Sequence, residues 1–141
     1  MATTRTAHTT WEGNLIKGTG TVTLASSGIG AFPVSWPARA EAPAGLTSPE
    51  ELIAAAHSSC FSMALSHGLT QAGTTPSKLE TRADVTFQPG TGITGIHLTV
   101  TGEVPGLDED GFVKAAEEAK ANCPVSQALA GTTITLTAAL A

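Results

Sequence analysis

Polar and apolar residues alternate near both ends of the chain, and this two-residue period is typical of half-buried β-strands. Between residues 11 and 24 the threonines at 19, 21 and 23 alternate with glycine, valine and leucine, and Lys17-Gly18 is the predicted turn. The same alternation and turn residues predict four later strands, over 32–36, 79–87, 96–101 and 132–140.

The stretch from Ser48 to Ser66 predicts a long helix. Ser48 is placed to cap it, Pro49 occupies the first helical position, and Glu51 completes a capping box three residues after the cap. Gly68 is the predicted stop. Apolar side chains cover most of the helix circumference, so we expect burial on more than one side.

A second helix is predicted from about Asp108, where acidic residues in its first turn favour the helix dipole. Its apolar stripe consists of Phe112, Ala115, Ala116 and Ala119. Pro124 breaks this helix and begins a short one over 124–129. The element order predicts one α+β domain over 1–141, with mostly antiparallel sheets, a long central buried helix and a second helix.

Charged residues make up only 13 % of the chain, and its net charge is −5. This acidic balance argues against a phosphate-binding groove and therefore against nucleic-acid binding. The N-terminus shows no apolar secretory segment, and even the most apolar stretch of the chain is too polar for a membrane-spanning helix. No paired spacing of Cys or His indicates a metal site. So little charge on a small domain favours an oligomer.

The two cysteines occupy different settings. Cys60 lies in the middle of the long helix, where a thiol is either an inert core residue or needs a cation from elsewhere to react. Cys123 precedes Pro124 and so caps the short helix, where free backbone N–H groups favour a thiolate. Structural and redox roles both stay open at this point.

His57 lies three residues before Cys60 and shares its helix face. A Cys–His nucleophile pair, as in a hydrolase, is one interpretation. The interpretation that we prefer is a core histidine bonded to the backbone. No oxyanion motif accompanies the pair, and a hydrolase would leave Cys123 without a role.

Two segments carry a resemblance to a known family. Residues 49–65, with His57 and Cys60, resemble the signature helix of the OsmC (osmotically inducible protein C) family, and residues 122–126 resemble its second cysteine site. Ala56-His57 is more similar to the OsmC branch than to the related organic hydroperoxide resistance proteins. Two departures are Ser48, where the family has Asn, and Ala40, which replaces an aromatic residue after the family's arginine.

The resemblance implies an intertwined homodimer that reduces organic hydroperoxides in the cytoplasm as a defence against oxidative and osmotic stress. Carried over by position, Cys60 is the peroxidatic cysteine, Cys123 the resolving cysteine, Arg39 the activating cation and Glu50 the carboxylate that orients it, with Lys17 as a rival cation. No cofactor is implied, and the expected reductant is a dithiol of the dihydrolipoyl type. The alternative from another class is a non-catalytic dimeric protein that binds apolar ligands.

General chemistry supports the same roles. An arginine lowers the pKa of a thiol and stabilises the negative charge that moves onto oxygen as the peroxide bond breaks. Glu50 and Cys60 are ten positions apart, about 15 Å along one straight helix. We therefore expect Glu50 of one chain to approach Cys60 of the other across a two-fold axis. The apolar residues Leu52, Phe61, Met63, Leu65 and Phe112 are expected mainly in the core, or at an apolar entrance.

Overall fold

The computed structural model describes residues 1–141, which form two compact units, residues 1–52 and residues 53–141. The α+β class is confirmed, with two three-stranded sheets. None of the helices combines the length and apolar character needed to cross a membrane.

The first unit contains an antiparallel sheet in the order β1-β2-β3, formed by β1 (His8–Glu12), β2 (Thr19–Thr23) and β3 (Ala31–Val34). The predicted third strand is too long at its end, because Trp36 begins a helix, α1 (Trp36–Ala40). Ser35 caps α1 by accepting the backbone N–H of Ala38 at 3.2 Å. This short helix carries Arg39.

The long helix, α2 (Pro49–Gln71), starts where the sequence predicts. Ser48 Oγ accepts the backbone N–H of Glu51 at 3.1 Å. The other half of the predicted capping box is replaced, since the Glu51 carboxylate accepts the Thr47 hydroxyl at 2.6 Å. The predicted end is wrong: α2 continues through Gly68, and the chain turns at Gly73, whose φ is +88°.

The buried residues of α2 beyond its first turn form one row, spaced four apart: His57, Phe61, Leu65 and Leu69. Away from this row the helix is half-buried or exposed, and Met63 is 70 % exposed. The expected burial on more than one side is therefore not found within a single chain. Phe61, Leu65 and Phe112 are fully buried, which confirms them as core residues.

The second unit is built on β4 (Lys78–Gln88), β5 (Gly92–Glu103) and β6 (Ile134–Leu140), with β5 in the centre. The strands β4 and β5 are antiparallel, whereas β5 and β6 are parallel. A parallel pair needs a crossover connection. Here α3 (Glu109–Asn122) and α4 (Pro124–Ala128) supply it, and they place Cys123 at their junction.

The core of the second unit is formed by apolar residues of α2, α3 and the central strand β5. Phe112, Ala116 and Ala119 of α3 are buried, as the predicted stripe requires, and Ala115 is half-buried. The ring of Phe112 fills the space next to Gly102 of β5, where a Cβ would come within 2.6 Å of it. This close approach explains why glycine occupies a strand position.

Candidate active site

The two cysteines meet in the second unit, although 62 residues separate them in the chain. Both are free thiols; Cys123 is fully buried and Cys60 is half-buried. Cys123 closes α3 and precedes α4, and its side chain makes no capping hydrogen bond. It is thus at the predicted N-cap, but its thiol faces Cys60 rather than the helix N-terminus.

The surroundings of Cys60 disfavour its thiolate. Burial raises the pKa of the Cys60 thiol, and a hydrogen bond with the Cys123 side chain raises it further. A hydrogen bond from the backbone N–H of Val125 opposes these effects and lowers the pKa. None of these influences is a cation, so activation at neutral pH requires one from elsewhere.

His57 and Ser126 form a second contact between α2 and α4. His57 Nε2 lies 2.7 Å from Ser126 Oγ, and both residues are buried. The predicted backbone partner of His57 is wrong, because this partner is a side chain. The ring is bonded to Ser126 rather than to Cys60, and its Nδ1 has no hydrogen-bond partner, so no Cys–His nucleophile pair is formed.

Arg39 and Glu50 are paired in the first unit. Arg39 Nη2 and Nε donate to Glu50 Oε1 at 2.8 and 3.0 Å, and Nε also lies 3.2 Å from Oε2. The Glu50 side chain is only 9 % exposed. A fork of this kind fixes the plane of the guanidinium, which is what an orienting carboxylate must do.

The rival cation Lys17 lies in an exposed turn of the same unit, and its backbone N–H donates to Asn14 Oδ1 at 2.8 Å.

An apolar pocket of about 350 Å³ lies beside Arg39, and its lining includes Leu15, Trp36 and Leu52. Leu52 therefore lines this pocket. No three His, Cys, Asp or Glu side chains form a cluster that could hold a metal ion.

The sequence does not predict the role of two groups of the site, the backbone N–H of Val125 and the hydroxyl of Ser126. Both follow Pro124 in α4, and a motif of residue types gives no sign that a backbone N–H acts on a thiol. The only signal in the sequence is spacing, since Ser126 follows Cys123 by three residues as His57 precedes Cys60 by three.

Comparison with known proteins follows the same segments. A sequence model of OsmC-like proteins matches residues 42–137. The chain is 46 % identical over 122 residues to peroxiredoxin OsmC of Escherichia coli (strain K12), which covers 84 % of this chain and 85 % of that protein. The Shigella flexneri protein of the same name gives the same values.

Solved structures show the same fold. The organic hydroperoxide resistance protein OhrB of Bacillus subtilis is 26 % identical with a TM-score of 0.71, covering 96 % of this chain and 98 % of its own. An organic hydroperoxide resistance protein from Elizabethkingia anophelis, crystallised with thiocyanate, is 25 % identical with a TM-score of 0.74 over the full length of both chains.

Proposed function

Because this chain belongs to the OsmC family of cysteine-based peroxidases, we propose that it reduces organic hydroperoxides to alcohols through Cys60 and Cys123. The observation that carries the proposal is the contact between these two free thiols in the second unit. An inert core role for the cysteines and a ligand-binding role for the protein both leave this contact without a purpose.

In the proposed reaction the Cys60 thiolate attacks one oxygen of the hydroperoxide. The O–O bond breaks, the alkoxide takes a proton and leaves as the alcohol, and Cys60 becomes a sulfenic acid. The Cys123 thiol then attacks the Cys60 sulfur, which forms a disulfide and releases water. Two electrons from a dithiol, for which we propose a dihydrolipoyl-type donor, return both cysteines to thiols. Such a cycle fits a compartment that keeps thiols reduced, as the cytoplasm does.

We assign the activating cation to Arg39. Burial and the neighbouring thiol hold the pKa of Cys60 above its ordinary value, so the attacking thiolate needs a compensating charge. The fork with the carboxylate of Glu50 holds the guanidinium in a fixed orientation. An arginine keeps its charge at every physiological pH and also stabilises the developing alkoxide.

The proposed enzyme is a homodimer in which Arg39 and Glu50 of one chain serve Cys60 of the other. Glu50 and Cys60 lie on the continuous helix α2, and ten residues of helix correspond to a rise of about 15 Å. The side of α2 around Met63 is exposed in the single chain and is open to a second helix. Two α2 helices crossing a two-fold axis would generate two equivalent sites.

For the substrate we propose bulky or lipid-derived hydroperoxides rather than hydrogen peroxide. The pocket of about 350 Å³ beside Arg39 is lined mainly by apolar side chains and could receive part of the hydrocarbon portion of such a substrate. Burying such a group contributes about 25 cal/mol for each Å² of apolar surface, which hydrogen peroxide cannot gain.

Thiol counting after peroxide treatment tests the proposed function. The reduced protein is mixed with one equivalent of cumene hydroperoxide, and free thiols and disulfides are counted by alkylation and mass spectrometry. The expected product is one intramolecular disulfide between Cys60 and Cys123. Cys60→Ser should be inactive, whereas Cys123→Ser should consume one peroxide per chain to reach the sulfenic acid, and further peroxide only by overoxidation to the sulfinic or sulfonic acid. Multiple turnovers by Cys60→Ser, in an assay with excess peroxide and a dithiol, would contradict the assignment.

A further inference from the structure

We propose that His57 and Ser126 are positioning residues that hold α4, and with it Cys123, against Cys60 during formation of the disulfide. This inference rests on the proposed function and assigns a role to a buried pair that the peroxide chemistry itself does not use. Neither residue is assigned to the attacking, resolving or activating groups.

The pair lies one helical turn from the thiols on both helices. His57 precedes Cys60 by three residues on α2, and Ser126 follows Cys123 by three residues across the start of α4. Residues three apart are neighbours on a helix surface. The two contacts, His57 with Ser126 and Cys60 with Cys123, therefore form adjacent rungs between the same two segments, which run in opposite directions.

The hydrogen bond is of a kind that fixes position. Nε2 and Oγ are 2.7 Å apart, His57 is fully buried and Ser126 is 5 % exposed, so water does not compete for either group. Breaking this contact leaves a buried polar atom unpaired, which costs more than an exposed hydrogen bond. The segment that it holds is short, since α4 is a single five-residue helix. The backbone N–H of Val125 also bonds to α2, but at the Cys60 thiol, the group that changes during the reaction.

The pair acts as a neutral hydrogen bond and not as a proton relay. Burial lowers the pKa of His57, so the ring is uncharged at neutral pH. Its Nδ1 is buried without a partner. An orphaned acceptor is tolerated in protein interiors more readily than an orphaned N–H, which favours the proton on Nε2, donated to Ser126.

Positioning matters most after peroxide attack. The sulfenic oxygen on Cys60 needs room at the thiol contact, and it pushes Cys123 and α4 away from α2. A disulfide forms only when the two cysteines stay within a narrow range of geometry. The His57–Ser126 rung opposes this displacement, so a larger share of the molecules stays competent for the second step.

The experiment measures the two chemical steps separately in the full-length protein. Reduced protein is mixed with cumene hydroperoxide, quenched at intervals with an alkylating agent, and sorted by mass into thiol, disulfide and overoxidised forms. Ser126→Ala and His57→Leu remove the rung. Ser126→Thr and His57→Gln keep a hydrogen-bonding group and serve as rescue variants. Thr81→Val is the matched control, because it removes a 2.8 Å hydrogen bond that joins α2 to β4 through Ser62.

In Ser126→Ala and His57→Leu we expect peroxide attack at the wild-type rate and disulfide formation about tenfold slower, the factor that corresponds to one buried hydrogen bond. The peroxide concentration that overoxidises half of Cys60 should fall by the same factor. The rescue variants should recover most of the loss. Thr81→Val should lower the melting temperature but leave this partition unchanged.

An unchanged partition in Ser126→Ala would overturn the inference even if His57→Leu failed to fold. Equal slowing of both steps would also overturn it, because that result indicates general loss of structure. A wild-type protein that forms no disulfide would remove the proposed resolving step itself, and that outcome is visible before any variant is compared.

Discussion

Subunit complementation tests whether the Arg39–Glu50 pair of one chain serves Cys60 of the other. Two inactive variants, Glu50→Ala and Cys60→Ser, are mixed in equal amounts under conditions that exchange subunits. With random exchange about half of the dimers contain one chain of each kind. In such a dimer a shared site combines the intact Glu50 of one chain with the intact Cys60 of the other, and the second site lacks both.

The expected recovery follows from this count. One working site in two, present in half of the dimers, returns about a quarter of the wild-type activity at equal protein concentration. If Glu50 and Cys60 act within one chain, no dimer contains a working site and the recovery is zero. The difference between a quarter and zero is readily measured as peroxide-dependent oxidation of a dithiol.

The ion pair provides a matched control. Arg39 and Glu50 are bonded within one chain, with Nη2 and Oε1 2.8 Å apart, so they must act as one half-site. Arg39→Ala should therefore complement Cys60→Ser as well as Glu50→Ala does, but Arg39→Ala mixed with Glu50→Ala should recover nothing. Absence of recovery with Cys60→Ser, when exchange has been verified with tagged chains, would refute the shared site and the helix geometry from which we infer it.

Three further measurements address single residues. Arg39→Ala should raise the pKa of Cys60, so its alkylation should require higher pH, and an unchanged pH profile would mean that another cation activates the thiol. Burial lowers the pKa of His57 below its ordinary value of 6.5, so the unfolded chain binds more protons than the folded one and urea stability should fall as the pH drops below about 6.5; in the variant with Gln at 57 this part of the slope should vanish. In urea titrations Gly102→Ala should lower the free energy of unfolding by about 1–3 kcal/mol, because its Cβ meets the buried Phe112 ring. Gly68→Ala has open space around it and should raise the free energy of unfolding by about 0.5–1 kcal/mol. The opposite order would contradict the packing.

The sequence predicts best the features that depend on neighbouring residues. The start of α2 follows from Ser48 and Pro49. The start of α3 is predicted at about Asp108, and in the structure Asp108 accepts the backbone N–H of Gly111 at 2.8 Å. The end of α2 is missed because Leu69 lies beyond Gly68 and is buried in the core. Its packing outweighs the intrinsic cost of one glycine in the helix.

The missed parts of the site have a similar cause. The helix that carries Arg39 has only five residues and follows a strand, so its pattern merges with that of the strand. The contact between His57 and Ser126 joins positions 69 residues apart, and no local period connects them. The pairing of Cys60 with Cys123 is predicted through the family resemblance, because spacing along the chain does not show that the two thiols meet.

The contact between distant cysteines also makes redox state and folding stability depend on each other. A bond between Cys60 and Cys123 closes a loop of about 60 residues, and in the chain-entropy description this removes enough freedom from the unfolded chain to stabilise the fold by about 4 kcal/mol. Thermodynamic linkage requires the reverse as well: the fold stabilises the disulfide by the same amount relative to the unfolded chain. The proposed cycle therefore predicts that the disulfide form is more heat-resistant than the reduced form, and that its reductant must be strong enough to break a bond that the fold of the second unit stabilises.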